Sequence, residues 1–332
     1  MACTKSLSLN PISEGDLSLE QAIYSSTHDA IYGVRGGWVH KFNATTGALI
    51  TSAVFSSDAI GPASITEIGG VIYVCSWWTN KLPEIAAFRD NHDIFSIDPT
   101  TLAATNTHIW KTYTSSNVNP NWAYGPFQIT TDGTRIVGLL GQGFNAFQPF
   151  YVDPSVPLGL KYSGSVSTRY GGGPAGGELI WDSANGVAVF SYQDGPAITS
   201  YDMSSGSPSI VDDTSGSFTK KVVGLCYCPD TDKYYAVDNT SILVTLEALD
   251  FTAIGSINTG EATANPRRIK FNPNTGYLYV PGWASNSVIV IDPVLETVVE
   301  TQTDFNQPWD VVITPTKMFA VQNAPIGLRE IT

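Results

Sequence analysis

One short theme recurs along this chain, and a chain built from such copies has few ways to bury its apolar strands. The cleanest copy reads Asn265-Pro266-Arg267-Arg268-Ile269-Lys270-Phe271, a turn at Asn274-Thr275-Gly276, then Tyr277-Leu278-Tyr279-Val280. Ser287-Val288-Ile289-Val290-Ile291 follows, closed by Asp292-Pro293, and Glu296-Thr297-Val298-Val299 completes the unit. Runs of β-branched and aromatic residues bounded by Asn, Gly, Asp and Pro predict four short strands in about forty residues, arranged as a meander.

The end of the third strand recurs at Phe42-Asn43, Ile97-Asp98-Pro99, Val152-Asp153-Pro154, Tyr201-Asp202, Leu249-Asp250 and Ile291-Asp292-Pro293. Positions 43, 98, 153, 202, 250 and 292 are separated by 55, 55, 49, 48 and 42 residues, intervals typical of propeller blades. A proline marks the approach to the first strand at Gly61-Pro62, Gly125-Pro126, Gly173-Pro174, Asn265-Pro266 and Gln307-Pro308. Placed before pairing begins, it costs no ladder hydrogen bond. Second strands align at Ala30-Ile31-Tyr32, Val71 to Val74, Arg135 to Val137, Val187 to Phe190, Tyr234 to Val237, Tyr277 to Val280 and Met318 to Val321, which makes seven copies.

These features predict an all-β fold, a single seven-bladed β-propeller spanning residues 1–332. The expected blades are 17–58, 59–112, 123–168, 174–216, 217–260, 261–303 and 304–332. The seventh copy stops after a third strand at Gly327 to Thr332, and the alternating segment Thr4-Lys5-Ser6-Leu7-Ser8-Leu9 is expected to complete that blade, with residues 1–12 closing the ring. The strand pattern resembles the YVTN-type β-propeller repeat, which occurs in lactonase-like proteins. The match is closest at Tyr277-Leu278-Tyr279-Val280 and Val288-Ile289-Val290-Ile291-Asp292. It extends over most of the chain as a structural repeat. The resemblance implies a fold and carries no activity with it.

Composition narrows the function classes. Lys and Arg number 17 against 30 Asp and Glu, so the net charge of −13 repels a phosphate backbone and nucleic acid is not an expected partner. No apolar run approaches the roughly 18 residues of a membrane span, so membrane insertion is not expected, and residues 1–16 lack the apolar core of a signal peptide. Cys3, Cys75, Cys226 and Cys228 are too few and scattered for a disulfide framework and read as reduced core residues. No metal and no cofactor is expected. Asp212-Asp213 and Asp230-Thr231-Asp232 lack the twelve-residue calcium-loop pattern, and the glycine run from Gly171 to Gly177 lacks the Lys-Ser or Lys-Thr of a phosphate loop.

First strands should line the central channel, with their entry loops sharing one face with the loops between second and third strands. Two such loops are expected to be long, Ser76 to Asp93 and Gly141 to Phe150. They carry Trp77, Trp78, Phe88, Arg89, His92, Phe144 and Phe147, and Trp283 and Trp309 are expected nearby. Aromatic rings among Asn, Gln, Asp and Arg suit a protein surface or a glycan, although inserted loops also bury their own aromatics. The likeness to lactonase-like proteins, which work through polar and acidic channel residues, implies Asp310, Glu178 and Asn265 as the candidate constellation of a hydrolase at the channel mouth, with Arg267 and Arg268 beside it.

The reading that follows is a non-enzymatic binding or structural propeller. Its expected partners are other subunits of a particle or a surface receptor. Sparse charge and a surface rich in Ser, Thr, Asn and Gly suggest a virion or other extracellular particle, made in the cytoplasm without a signal peptide, and acting in assembly, decoration or adhesion. A cytoplasmic scaffold is the alternative location. A lactonase-like hydrolase is the alternative activity.

Overall fold

The computed structural model describes residues 21–35, 38–54, 60–78, 93–111, 124–142, 146–155, 160–162, 176–192, 198–204, 209–213, 222–238, 242–248, 250–260, 268–322 and 327–332. It is all-β, with seven antiparallel sheets that each contain strands in simple sequential order. Blade 1 comprises Gln21–Ser25, Ala30–Arg35, Trp38–Asn43 and Leu49–Val54, and blade 2 Ile60–Ile68, Val71–Trp78, Asp93–Ile97 and Ala104–Lys111. Blade 3 comprises Tyr124–Thr131, Ile136–Gln142, Ala146–Val152 and Leu160–Tyr162, and blade 4 Gly176–Asp182, Val187–Tyr192, Ile198–Asp202 and Ser209–Asp213. Blade 5 comprises Val222–Cys228, Lys233–Asp238, Ile242–Glu247 and Ala253–Asn258, and blade 6 Lys270–Asn272, Tyr277–Gly282, Ser287–Asp292 and Thr297–Gln302. Blade 7 has three described strands, Pro308–Ile313, Met318–Gln322 and Gly327–Ile331. The segment Thr4 to Leu9, expected to supply the fourth, lies outside the described residues.

Each blade packs against the next, and the first strand of blade 7 packs against the first strand of blade 1. The ring is therefore a seven-bladed β-propeller. Its core is divided into clusters between blades. Ala30, Tyr32 and Val34 of blade 1 pack with Ile65, Ile72 and Val74 of blade 2, and Trp309, Val312 and Phe319 of blade 7 pack with Ala22, Ile31 and Phe42 of blade 1. Alternation of side chains along each strand lets one sheet serve both neighbours. Cys75, Cys226 and Cys228 are free, buried thiols, and burial pushes Cys226 up to about 12.

The meander places every first-to-second and third-to-fourth turn at one end of the ring, called here the turn face. The Asp and Asn residues of the repeat are the hydrogen-bond acceptors of those turns. Asp98 Oδ1 accepts from the amides of Thr100 (2.8 Å) and Thr101 (2.7 Å), Asn43 Oδ1 from Thr45 (2.9 Å) and Thr46 (2.8 Å), and Asp292 Oδ1 from Val294 (2.8 Å) and Leu295 (2.9 Å). Such side-chain bonds hold a turn that backbone pairing alone leaves open.

Blade 5 departs from the sequence reading. Its third strand ends at Glu247 and not at Asp250. The Glu247 amide donates to Thr252 O (3.0 Å) and the Phe251 amide to Glu247 O (3.2 Å), the pair of bonds that Asp98 makes with Ala103 and Leu102. Phe251 and Leu102 accordingly share a positive φ, 51° and 60°. Asp250 sits inside the turn and still accepts from the Thr252 amide, which is why it mimics the marker. With 247 in place of 250 the last two intervals, 247 minus 202 and 292 minus 247, are both 45.

Hydroxyls and amides at the turns hold Asp98, Asp153, Asp202 and Asp250 below the ordinary carboxylate pKa. A depressed folded-state pKa means stability that is present above the unfolded value and lost as pH falls through the folded one. Thermal unfolding followed by circular dichroism is therefore expected to show a melting temperature that declines below pH about 4. A flat profile from pH 5 to pH 2 would contradict this account of the turns.

Candidate functional site

The first strand of each blade is the inner edge of its sheet, and in blades 2, 3, 5 and 7 it carries an irregularity in register at the same place. Pairing skips Ala63, Phe127, Val223 and Trp309. Blade 4 shows a shift between Gly176 and Leu179. A bulge re-aims the side chains beside it. The residue after the skipped one belongs to a ring of equivalent positions, occupied in order by Gln21, Ser64, Gln128, Glu178, Gly224, Arg268 and Asp310. The prolines expected to precede the strand lie two residues before this ring in four blades. Pro62 and Pro126 are themselves paired with Ser76 and Leu140. An inner edge tolerates proline because one side of the strand has no ladder partner.

These positions join neighbouring blades. Gln21 Oε1 accepts from the Ile65 amide (3.1 Å) and from the Ser64 hydroxyl, and Ser64 Oγ accepts from the Ile129 amide (3.0 Å). Glu178 Oε2 accepts from the Leu225 amide (3.1 Å), and Asp310 Oδ2 from the Ala22 amide (3.0 Å). Each acceptor therefore satisfies an inner-edge N–H of the following blade, a group that would otherwise be orphaned in a closed interior. The last of these bonds joins blade 7 to blade 1.

Gly224 has no side chain to offer, and its neighbours crowd the place where one would start. A Cβ there would lie 3.1 Å from Arg268 Cα and 3.0 Å from Val237 Cγ1. The backbone of blade 6 comes close at this point, and the cations of blade 6 reach past blade 5 to blade 4. Lys270 Nζ lies 2.9 Å from Glu178 Oε1 and Arg268 Nη1 lies 3.5 Å from the same oxygen. Glu178 and Asp310 are 1% and 0% exposed and Arg268 is 7% exposed, while the Lys270 side chain keeps 28% of its surface. Two carboxylates and two cations thus occupy the channel. Burial pushes the Asp310 carboxyl up, against the pull of Lys270 and Arg268. Burial works against the Lys270 ammonium, but Glu178 and Asp310 outweigh it and leave the pKa raised.

Of the constellation expected for a hydrolase, Glu178 and Asp310 line the channel and Asn265 lies outside the described residues, as does Arg267. The two carboxylates are already hydrogen-bonded to backbone amides, Asp310 also to the Val311 amide (2.8 Å). Lys270, absent from that constellation, is central to the cluster. So are Gln21, Ser64 and Gln128 to the ring. For Ser64 and Gln128 the signal was a polar residue two places after a proline, Pro62 and Pro126, as Arg268 and Asp310 follow Pro266 and Pro308; Gln21 has no such proline.

The aromatic set divides differently from its expected place on long loops. Trp77 and Trp78 belong to the second strand of blade 2, where they pair with Gly61 and Ile60. Phe147 belongs to the third strand of blade 3 and pairs with Gly141. The supposed loop from Gly141 to Phe150 is mostly hairpin, because paired strands satisfy backbone groups that a loop of that length exposes. Phe88, Arg89, His92 and Phe144 lie outside the described residues. Trp309 is 6% exposed and belongs to the cluster between blades 7 and 1, and Trp283 of blade 6 packs against that same cluster, so the structure brings these two together there. The Trp309 indole N–H is buried without an acceptor among the described residues.

No family model and no curated protein matches the chain. Solved structures do: 1613 chains match, a breadth that belongs to a widely used fold and not to one activity. Among them is a chain of a crystal structure of the Mitotic Checkpoint Complex, with a TM-score of 0.66 over 95% of this chain and 87% of that one. Identity is 11%, so the likeness shows the propeller fold alone.

Proposed function

We propose that the chain is a non-enzymatic binding or structural propeller of the YVTN-like kind, a protein-interaction subunit of a larger particle such as a virion. The observation that carries this reading is the internal commitment of Glu178 and Asp310. Both spend their acceptor capacity on inner-edge amides, with Lys270 and Arg268 beside them. Groups used this way make a rigid hub and leave recognition to the faces. A chain with only 14% charged residues supports assembly, decoration or adhesion at the particle exterior.

Electron microscopy of the native source, with the protein labelled by antibody, tests this. Decoration of a capsid, tail or filament is the expected result, and a freely diffusing monomer would overturn it. The second reading, a lactonase-like hydrolase, is favoured by a buried carboxyl whose pKa is raised beside a lysine, an arrangement also found at active sites. It requires turnover within a panel of lactones and esters, and the expected result is none.

A further inference from the structure

The turn face carries a trough of about 520 Å³ that crosses blades 1, 2 and 3, within the range of about 300–1,000 Å³ that ligand sites occupy. Ile23, Tyr24 and Thr27 form one wall, Glu67 and Ile68 the middle, and Thr131 the far side. The Thr27 turn is held close to Gly70, whose carbonyl lies 2.7 Å from His28 Nε2, so two blades share that rim.

Charge in the trough is one-sided. Glu67 is half-buried and has no hydrogen-bond or ion-pair partner among the described residues, and Asp29 at the rim is bonded only by the Tyr24 hydroxyl (3.2 Å). The described cations of this sector are committed elsewhere. Lys41 Nζ donates to Pro99 O (2.8 Å), and Arg135 is paired with Asp132 (2.6 Å), donates to Met203 O (3.0 Å) and lies over the Tyr151 ring. A half-buried carboxylate with apolar neighbours and no cation among the described residues is a poor arrangement for the isolated chain and a good one for a bound cation.

We infer that this trough docks an arginine- or lysine-bearing segment of a partner protein. Glu67 receives the guanidinium or ammonium, the Tyr24 ring lies beside it for cation–π contact, and Ile23 and Ile68 take the aliphatic stem. The inference rests on the protein-interaction reading and adds a face and a partner chemistry to it. The net charge of −13 favours encounter with such a segment.

The test uses the full chain and a fluorescein-labelled peptide of six Arg-Gly repeats, followed by anisotropy at about 0.15 M salt, where exposed charges beyond about 8 Å are screened. Glu67→Lys is expected to weaken binding at least about ten-fold, and Glu67→Gln, which keeps the side-chain shape, about three-fold or more. Glu300→Lys on the exposed outer strand of blade 6 makes the same change in net charge and is expected to alter affinity less than about two-fold. Circular dichroism on all three variants confirms the fold. Equal losses for Glu67→Lys and Glu300→Lys would reduce the effect to net charge and overturn the site, as would no binding by the wild-type chain. Neither result touches the non-enzymatic reading, which lactone turnover would end while leaving this surface intact.

Discussion

Asp310→Ala is expected to lower the stability of the ring by about 3–5 kcal/mol, read from urea unfolding at neutral pH. The substitution leaves the Ala22 and Val311 amides without an acceptor and Lys270 and Arg268 with one counter-charge in place of two. It also removes the inner-edge bond between blade 7 and blade 1. Asp310→Asn keeps an oxygen for the Ala22 amide, and burial already disfavours the ionised carboxyl, so its loss is expected to be about half as large. The two readings of the protein part company here. A catalytic Asp310 predicts lost turnover with stability nearly unchanged, whereas the hub predicts lost stability and no turnover to lose. Unchanged unfolding of Asp310→Ala would refute the structural role argued for it.

Most of the architecture was legible because a propeller repeats its local chemistry. The turn acceptors Asn43, Asp98 and Asp292 recur where each third strand must reverse, and the strands between them need only β-forming residues. The misreadings came from local mimicry. Asp250 makes an Asx-type bond inside its turn, so it looks like a strand end that is actually Glu247. Trp77, Trp78 and Phe147 look like loop residues because Ser76, Thr79, Asn80, Asn145 and Gln148 flank them, yet cross-strand partners hold them in ladders.

The channel was half legible. Glu178 and Asp310 stand out as charges among the apolar residues of their first strands, and Arg268 sits just ahead of one, but nothing local tells that Glu178 meets a lysine two blades away. That contact, between residues 92 apart in sequence, spans blade 5, where Gly224 leaves the ring position without a side chain. Pairings of this kind are set by ring geometry, which a linear pattern does not contain. The ring position itself is encoded in four of the seven blades, as a polar residue two places after a proline. It emerges only when the blades are superposed by their pairing registers.

The strongest consequence of that pairing is a test of Glu178 and Lys270 together. Glu178→Leu alone should cost about 3–5 kcal/mol, since it strands Lys270 beside Arg268 and orphans the Leu225 amide. Lys270→Met alone should cost less, because its side chain is 28% exposed and Arg268 remains near Glu178. The double variant removes both partners and places apolar groups of similar length in the channel, so it should recover more than half of the loss in Glu178→Leu. A coupling energy of about 1–3 kcal/mol between the two sites is the expected outcome of the full cycle. Additive losses would mean that Glu178 acts through the Leu225 amide alone. The cations of blade 6 would then be bystanders in holding blades 4, 5 and 6 in register, and the channel could not be described as one charge-balanced hub.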